Sequence, residues 1–197
     1  MSRYDASDSY VYPGSEVLLN KADIREQGAL EAFEADATAI RMLELIDNPI
    51  PGIFDLKHLC AIHRHLFQDV YDWAGEIRTV DISRGASRFA NFGLIEGYLD
   101  QQLRGLASEN FLRVAEPDRF VARLAHYMGE INAAHPFREG NGRVQRLFCA
   151  QLADQAGYFI DFATVDQAQM YEVMIASLNG NERPLASLLS EITAIVE

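Results

Sequence analysis

Cysteine is scarce in this chain. Only Cys60 and Cys149 occur among 197 residues, both inside apolar runs, and neither stands in a CxxC or CxxH spacing. A disulfide framework and a cysteine-based zinc site are therefore excluded, and two buried free thiols suit a reducing compartment. With 6 prolines and 13 glycines, the composition is neither collagen-like nor low-complexity. No apolar run approaches the roughly 18 residues of a membrane span. Residues Met1 to Pro13 lack a basic n-region and an apolar h-region, so no signal peptide is read there. Basic residues are outnumbered, 17 Lys and Arg against 29 Asp and Glu, for a net charge of −12. A field of that sign repels phosphate backbones and anionic lipids, which argues against a direct nucleic-acid partner or a membrane surface. It leaves room for a small phosphorylated ligand held by a local basic cluster. The chain reads as a cytoplasmic protein.

What is abundant is helical periodicity. A chain of this length buries roughly 70% of its unfolded surface and needs no staple. From Asp23 to Asp47 apolar residues recur at Leu30, Phe33, Ala37, Ile40, Leu43 and Ile46, in the three-and-four steps of an amphipathic helix that stops before Pro49 and Pro51. Leu56 to Tyr71 repeats the pattern through Leu59, Ile62, Leu66 and Val70, with Asp55 placed to cap it. Residues 76–89 differ: Ile77, Thr79, Val80 and Ile82 favour strands, and Ser83-Arg84-Gly85-Ala86-Ser87 favours a turn, which predicts a short hairpin or extended flap. Helices are expected again over Phe92–Gly105, from Pro117 past Ile131, over Val144–Ala156, Val165–Leu178 and Arg183–Val196. The chain thus reads as one mostly α domain over 1–197, its core about 55–190, with an N-terminal extension over 1–22 and one β flap.

The chemistry-bearing stretch runs from His135 to Arg146: His-Pro-Phe-Arg-Glu-Gly-Asn-Gly-Arg-Val-Gln-Arg. Gly140-Asn141-Gly142 can turn successive N–H groups towards one point and leads into a helix whose first N–H groups lack internal partners. That makes an anion site. Val144, Leu147, Phe148 and Leu152 form the apolar stripe that anchors this helix, while Arg143 and Arg146 lie off it, three apart, free to face the same side. Singly, each residue has an ordinary explanation: a turn, a packed histidine, solvated helix charges, a carboxylate complementing a helix start. Their joint occurrence at one junction of an acidic chain points to a polyphosphate site.

These residues match the signature His-x-Phe-x-Glu/Asp-Gly-Asn-Gly-Arg-x-x-Arg at every defining position, and the chain resembles the Fic (filamentation induced by cAMP) family. The resemblance extends over Leu56-Lys57-His58-Leu59, His63, Asp72-Trp73-Ala74-Gly75, Gly180-Asn181 and Pro184-Leu185. It implies a mostly α, Fic-type helical bundle with a short β-hairpin flap. It also implies Mg²⁺-dependent transfer of AMP from ATP to a Tyr, Ser or Thr hydroxyl of a target protein. In this reading His135 is the base, Glu139 holds the metal, and the Gly140-Asn141-Gly142 amides, Arg143 and Arg146 hold the phosphates. The flap residues Arg88, Phe89, Ala90 and Asn91 resemble those that dock the target's main chain, and Tyr171 and Asn179 resemble positions near the adenine.

Many relatives carry an inhibitory Ser/Thr-x-x-x-Glu-Gly/Asn helix. Here Glu96-Gly97, Glu109-Asn110 and Glu139-Gly140 are preceded, four residues back, by Phe92, Gly105 and His135, so the pattern is missing. The chain resembles the toxin branch, in which a small antitoxin protein brings that helix and the target is a type II topoisomerase (DNA gyrase or topoisomerase IV). Two alternatives stand beside this reading. One is transfer of another moiety such as UMP; phosphate transfer is disfavoured because phosphorylating relatives carry Lys where Gly142 stands. The other is a non-catalytic partner-docking module. A metal hydrolase is a poorer fit, since His58, His63, His65 and His126 have no carboxylate-rich motif at ligand spacing.

Overall fold

The computed structural model describes residues 8–85 and 87–196. Residues 1–7 of the expected N-terminal extension, and Ala86 of the expected turn, lie outside the described residues. Seven helices order the described chain: α1 Gln27–Asp47, α2 Leu56–Phe67, α3 Ile95–Ser108, α4 Pro117–Ala134, α5 Asn141–Gln155, α6 Gln167–Leu178 and α7 Arg183–Ile192. Two small antiparallel ladders join them. Strands β1 (Ser83–Arg84) and β2 (Ser87–Arg88) form the flap, and β3 (Tyr158–Ile160) pairs with β4 (Thr193–Ile195).

Helix α4 sits at the centre. It packs against α3, α5, α6 and α7 and buries a wide arc of its surface, including Phe120, Leu124, Tyr127, Met128 and Ile131, while Arg119 and Ala122 on the remaining face stay exposed. Helix α2 lies between α1 and α5. Its expected stripe is confirmed, with Leu59, Ile62, Leu66 and Val70 fully buried and the Asp55 carboxylate accepting the His58 N–H at 2.8 Å.

Some expectations are corrected. Helix α1 starts at Gln27 rather than Asp23, because the Glu26 carboxylate caps it by accepting the N–H groups of Gly28 and Ala29 at 3.0 and 2.6 Å. Its inward face is Leu30, Glu34, Thr38 and Leu45, whereas Ile40, Leu43 and Ile46 are 62–65% exposed. The helix is rotated by the polar contacts that Glu34 and Thr38 make with the rest of the molecule. Helix α2 ends at Phe67, where Val70 and Tyr71 turn back to the Phe67 carbonyl at 2.9 Å each. Ile77, Thr79, Val80 and Ile82 lie outside the flap strands. The last helix stops at Ile192, and β4 follows where helix had been expected. Its partner β3 places buried Tyr158 and Ile160 either side of exposed Phe159, an alternation too short to stand out in sequence. Cys149 is buried as expected but Cys60 is only half-buried; both are free thiols.

Candidate active site

The turn between α4 and α5 is built by backbone constraint. Helix α4 ends at His135 in the left-handed region, φ 46°, ψ 63°, a strained conformation for a residue with a Cβ. Gly140 follows with φ +80°, and a Cβ there would stand 2.1 Å from the Phe67 ring. Asn141 locks the intervening loop: its Oδ1 accepts the Phe137 N–H at 2.8 Å and its Nδ2–H donates to the Phe137 carbonyl at 2.7 Å. Phe137 itself is buried and stacks on His63 at 4.0 Å between ring centroids.

Around this turn opens a cavity of about 1160 Å³ whose lining includes His135, Glu139, Gly140, Asn141, Gly142, Arg143, Arg146, Phe89 and Tyr171. The catalytic and phosphate-binding residues expected from sequence therefore meet in one space. His135 Nδ1 lies 3.3 Å from the Asn132 carbonyl. A carbonyl only accepts, so Nδ1 carries the proton and Nε2 keeps its lone pair. Burial pushes the His135 pKa down to about 3, against the Asn132 hydrogen bond, and Arg78 and Arg84 lower it further. The ring stacks on Phe89 of the flap at 3.7 Å and 15°. The result is a neutral imidazole with a free acceptor, the form a base requires.

Glu139 is half-buried, and its Oε1 accepts the Gly140 N–H at 2.9 Å. Asn141 and Gly142 open α5, and their N–H groups have no carbonyl within the helix to bond. Within Gly140-Asn141-Gly142 only Gly140 is left-handed, since Asn141 and Gly142 are helical. The Asn141 side chain is committed to the loop and leaves only its main chain for a ligand.

The arginines divide their roles. Arg138 also borders the cavity, but its guanidinium is committed to a buried ion pair with Asp8, at 2.5 and 3.0 Å. Arg143 pairs with buried Glu34 of α1, donates to Thr38 Oγ1 at 3.0 Å, and lies 4.8 Å over the Phe67 ring. Glu34 in turn accepts from the Tyr71 hydroxyl, whose pKa is raised by burial and then by the Glu34 charge. Arg146 meets no ion-pair or hydrogen-bond partner among the described residues. Burial and the Arg143 charge both lower its pKa. It is an undercompensated cation facing a cavity, where a phosphate would relieve the cost.

Tyr171 is 39% exposed, lines the cavity and lies under the Arg84 guanidinium at 4.9 Å. Asn179 ends α6 outside the lining, its N–H bonded to the Ile175 carbonyl at 3.1 Å. Of the flap residues, Phe89 reaches the cavity, while Arg88, Ala90 and Asn91 stand outside its lining. Ala90 is tied to the Ala133 carbonyl at 3.0 Å. Asn91 donates to the Asp81 carboxylate at 2.9 and 3.1 Å.

Sequence reasoning gave several participants no part in this turn, His63 having been named only in the resemblance and among the histidines set aside as metal ligands. His63 is buried; its Nδ1 accepts the Gly75 N–H at 2.7 Å and its Nε2–H donates to the Glu139 carbonyl at 3.1 Å. Glu34 and Thr38, four apart on α1, were the one available signal for the Arg143 contacts. Arg78, fully buried, gave none.

Comparison with known proteins agrees with this geometry. The Fic/DOC family matches residues 53–153. Protein adenylyltransferase VbhT of Bartonella schoenbuchensis is 44% identical over 96% of this chain, which spans 40% of that relative's length. The "Probable protein adenylyltransferase Fic" of Escherichia coli K12 is 36% identical over 96% of this chain and 94% of its own. Among solved structures, the N-terminal Fic domain of a VirB-translocated Bep effector from Bartonella quintana, with bound ADP, superposes with a TM-score of 0.87 at 30% identity over 95% of both chains. BepC of Bartonella tribocorum, with bound AMPPNP, gives 0.89 at 27% identity over 98% of this chain and all of its own. A signature carried at every position, a neutral histidine at the end of α4 and a helix start opening on one cavity agree with these likenesses: the chain belongs to the Fic/DOC family.

Proposed function

We propose that this chain transfers AMP from ATP to a Tyr, Ser or Thr hydroxyl of a target protein. The observation that carries the reading is the shared cavity: His135, the open first turn of α5 and Arg146 line one space. The hydroxyl proton passes to His135 Nε2 as its oxygen attacks the α-phosphorus; the bond from that phosphorus to the bridging oxygen breaks, and pyrophosphate leaves. The N–H groups of Asn141 and Gly142 and the Arg146 guanidinium hold the departing phosphates, with Arg143 beside them. Glu139 offers a carboxylate oxygen beside this helix start, which fits a hard divalent cation. When bound, Mg²⁺ neutralises charge on the α- and β-phosphates. An extended target segment would pair with the flap beside Phe89, which stacks on His135, and so present its hydroxyl to the base.

The proposal continues to regulation and setting. Arg146 has no carboxylate partner among the described residues, in keeping with a toxin silenced by a small antitoxin protein whose glutamate would meet it. Resemblance to the toxin branch names type II topoisomerases as the target, and the cytoplasm, read from the sequence, is taken as the place of action. No described helix is long and apolar enough to cross a membrane. Overexpression without a partner is expected to stop growth, and normal growth would contradict the toxin reading. The donor is tested by offering α-labelled ATP, α-labelled UTP and γ-labelled ATP to a bacterial lysate with the purified protein. Label on a protein band from α-labelled ATP supports AMP transfer. Label from UTP alone would make it a UMP transferase, label only from γ-labelled ATP a kinase, and label from none a docking module.

A further inference from the structure

Among the described residues Arg78 is the largest fully buried side chain, and its nearest carboxylate, on Asp81, is 3.8 Å away. Its donors go to main-chain carbonyls instead. Nε–H donates to His135 at 2.8 Å, one terminal nitrogen to Val80 at 2.6 Å, and the other to Ala90 at 2.5 Å and Ala134 at 3.2 Å. Its own backbone N–H donates to the Pro136 carbonyl at 2.9 Å. These carbonyls belong to two different elements. Val80 and Ala90 stand at the two feet of the flap; Ala134, His135 and Pro136 form the end of α4 and the strained turn that carries the imidazole.

Burying a guanidinium is costly, and an apolar side chain would fill the same space at less cost. The charge is offset here by carbonyls at the C-terminal end of α4, where the helix presents its negative pole. Only a planar fork with five N–H donors can reach four carbonyls on two elements at once; a lysine has three donors on one atom. A second strap runs beside the first, from the Ala90 N–H to the Ala133 carbonyl at 3.0 Å. Phe89, next to Ala90, closes the circuit by stacking on the His135 ring.

We propose that Arg78 is a positioning residue that joins the flap and the His135 turn into one mechanical unit, so that a target segment ordering the flap also fixes the base. The kinetic half of this inference rests on the AMP-transfer reading; the mechanical half does not. Arg78 lies outside the cavity lining, so its loss is expected to spare nucleotide binding. Arg78→Lys and Arg78→Met, each confirmed folded by a cooperative melt, should bind ATP within about twofold of the native chain while kcat for target modification falls about 100-fold, the effect of a small misplacement of the base. In the same variants hydrogen exchange at Ala90 and at His135 should accelerate together, by at least tenfold.

Weaker ATP binding in step with lost transfer would reduce Arg78 to a general structural role and overturn the proposal. So would acceleration confined to the flap or to the turn. If neither variant folds, native-state exchange of the unaltered chain decides: the Arg78, Ala90 and His135 amides should open in one event with a common denaturant dependence, and separate openings contradict the coupling. If the native chain transfers no AMP to any target, the functional reading fails while the exchange result still judges the coupling.

Discussion

At Gly140 the backbone must be left-handed and the space above it is already filled by Phe67. Gly140→Ala combines backbone strain with a clash against a buried ring, and should destabilise the chain by about 3 kcal/mol, read as a lower urea midpoint with an unchanged slope. Arg146 calls for the opposite kind of test, because the proposed reading has it support the ligand rather than the fold. Arg146→Ala should weaken ATP binding at least about tenfold, the order of one charge-assisted contact, and should weaken AMP binding much less. Equal losses for the two nucleotides in calorimetry would place Arg146 away from the phosphate tail. Arg143 already has Glu34 and Thr38 as partners, so Arg143→Ala should lower stability as well as affinity.

At the scale of elements, His63 bridges the Gly75 turn after α2 to the α4–α5 loop, and its two bonds require a neutral ring. Burial holds its pKa down at about 3, partly offset by the Glu139 hydrogen bond. The unfolded chain takes up a proton near pH 6.5 that the native chain refuses. Stability present above pH 6.5 is therefore lost as pH falls towards 3, by at most about 1.4 kcal/mol per pH unit for each such histidine. Burial lowers the His58 pKa in the same direction. The melting temperature should fall between pH 7.5 and pH 5.0, and the fall should be smaller in His63→Gln; an unchanged fall would remove His63 from this role.

Elements also show what a sequence reader can and cannot see. The stripe of α2 was legible because apolar burial sets the face of that helix. The stripe of α1 was misread because Glu34 and Thr38, polar by composition, point inward to Arg143 and leave Ile40, Leu43 and Ile46 in solvent. Strands β3 and β4 escaped notice because three residues cannot establish a period and their partners lie far apart in the chain. The site from His135 to Arg146 was legible because its ligands are local. Arg78, His63 and Asp8 were not, since each acts on that turn across the chain.

For the molecule as a whole, the N-terminal segment is part of the site's support. Tyr10, Tyr12, Val17 and Leu18 are buried, the Tyr10 hydroxyl contacts Thr79 Oγ1 at 3.2 Å and accepts the Thr79 N–H at 3.1 Å, and Asp8 holds Arg138 beneath the loop. Asp8→Ala removes the carboxylate from a buried ion pair and should cost about 3 kcal/mol, measured by chemical unfolding; a change near zero would show that the segment rests on the site without supporting it. The overall charge of −12 makes the cavity's arginines a local reversal of sign, the arrangement through which the proposed function would have an acidic protein admit ATP.

The most direct measurement compares the native chain with His135→Ala for transfer of label from the α-phosphate of ATP to a purified target, with ATP affinity measured on both. A neutral base in a preformed phosphate site predicts that the variant binds ATP as tightly as the native chain while its transfer rate falls by about 10²- to 10⁴-fold. Equal rates in the two proteins would contradict the account, because the corner between α4 and α5 would then hold a nucleotide without performing the reaction.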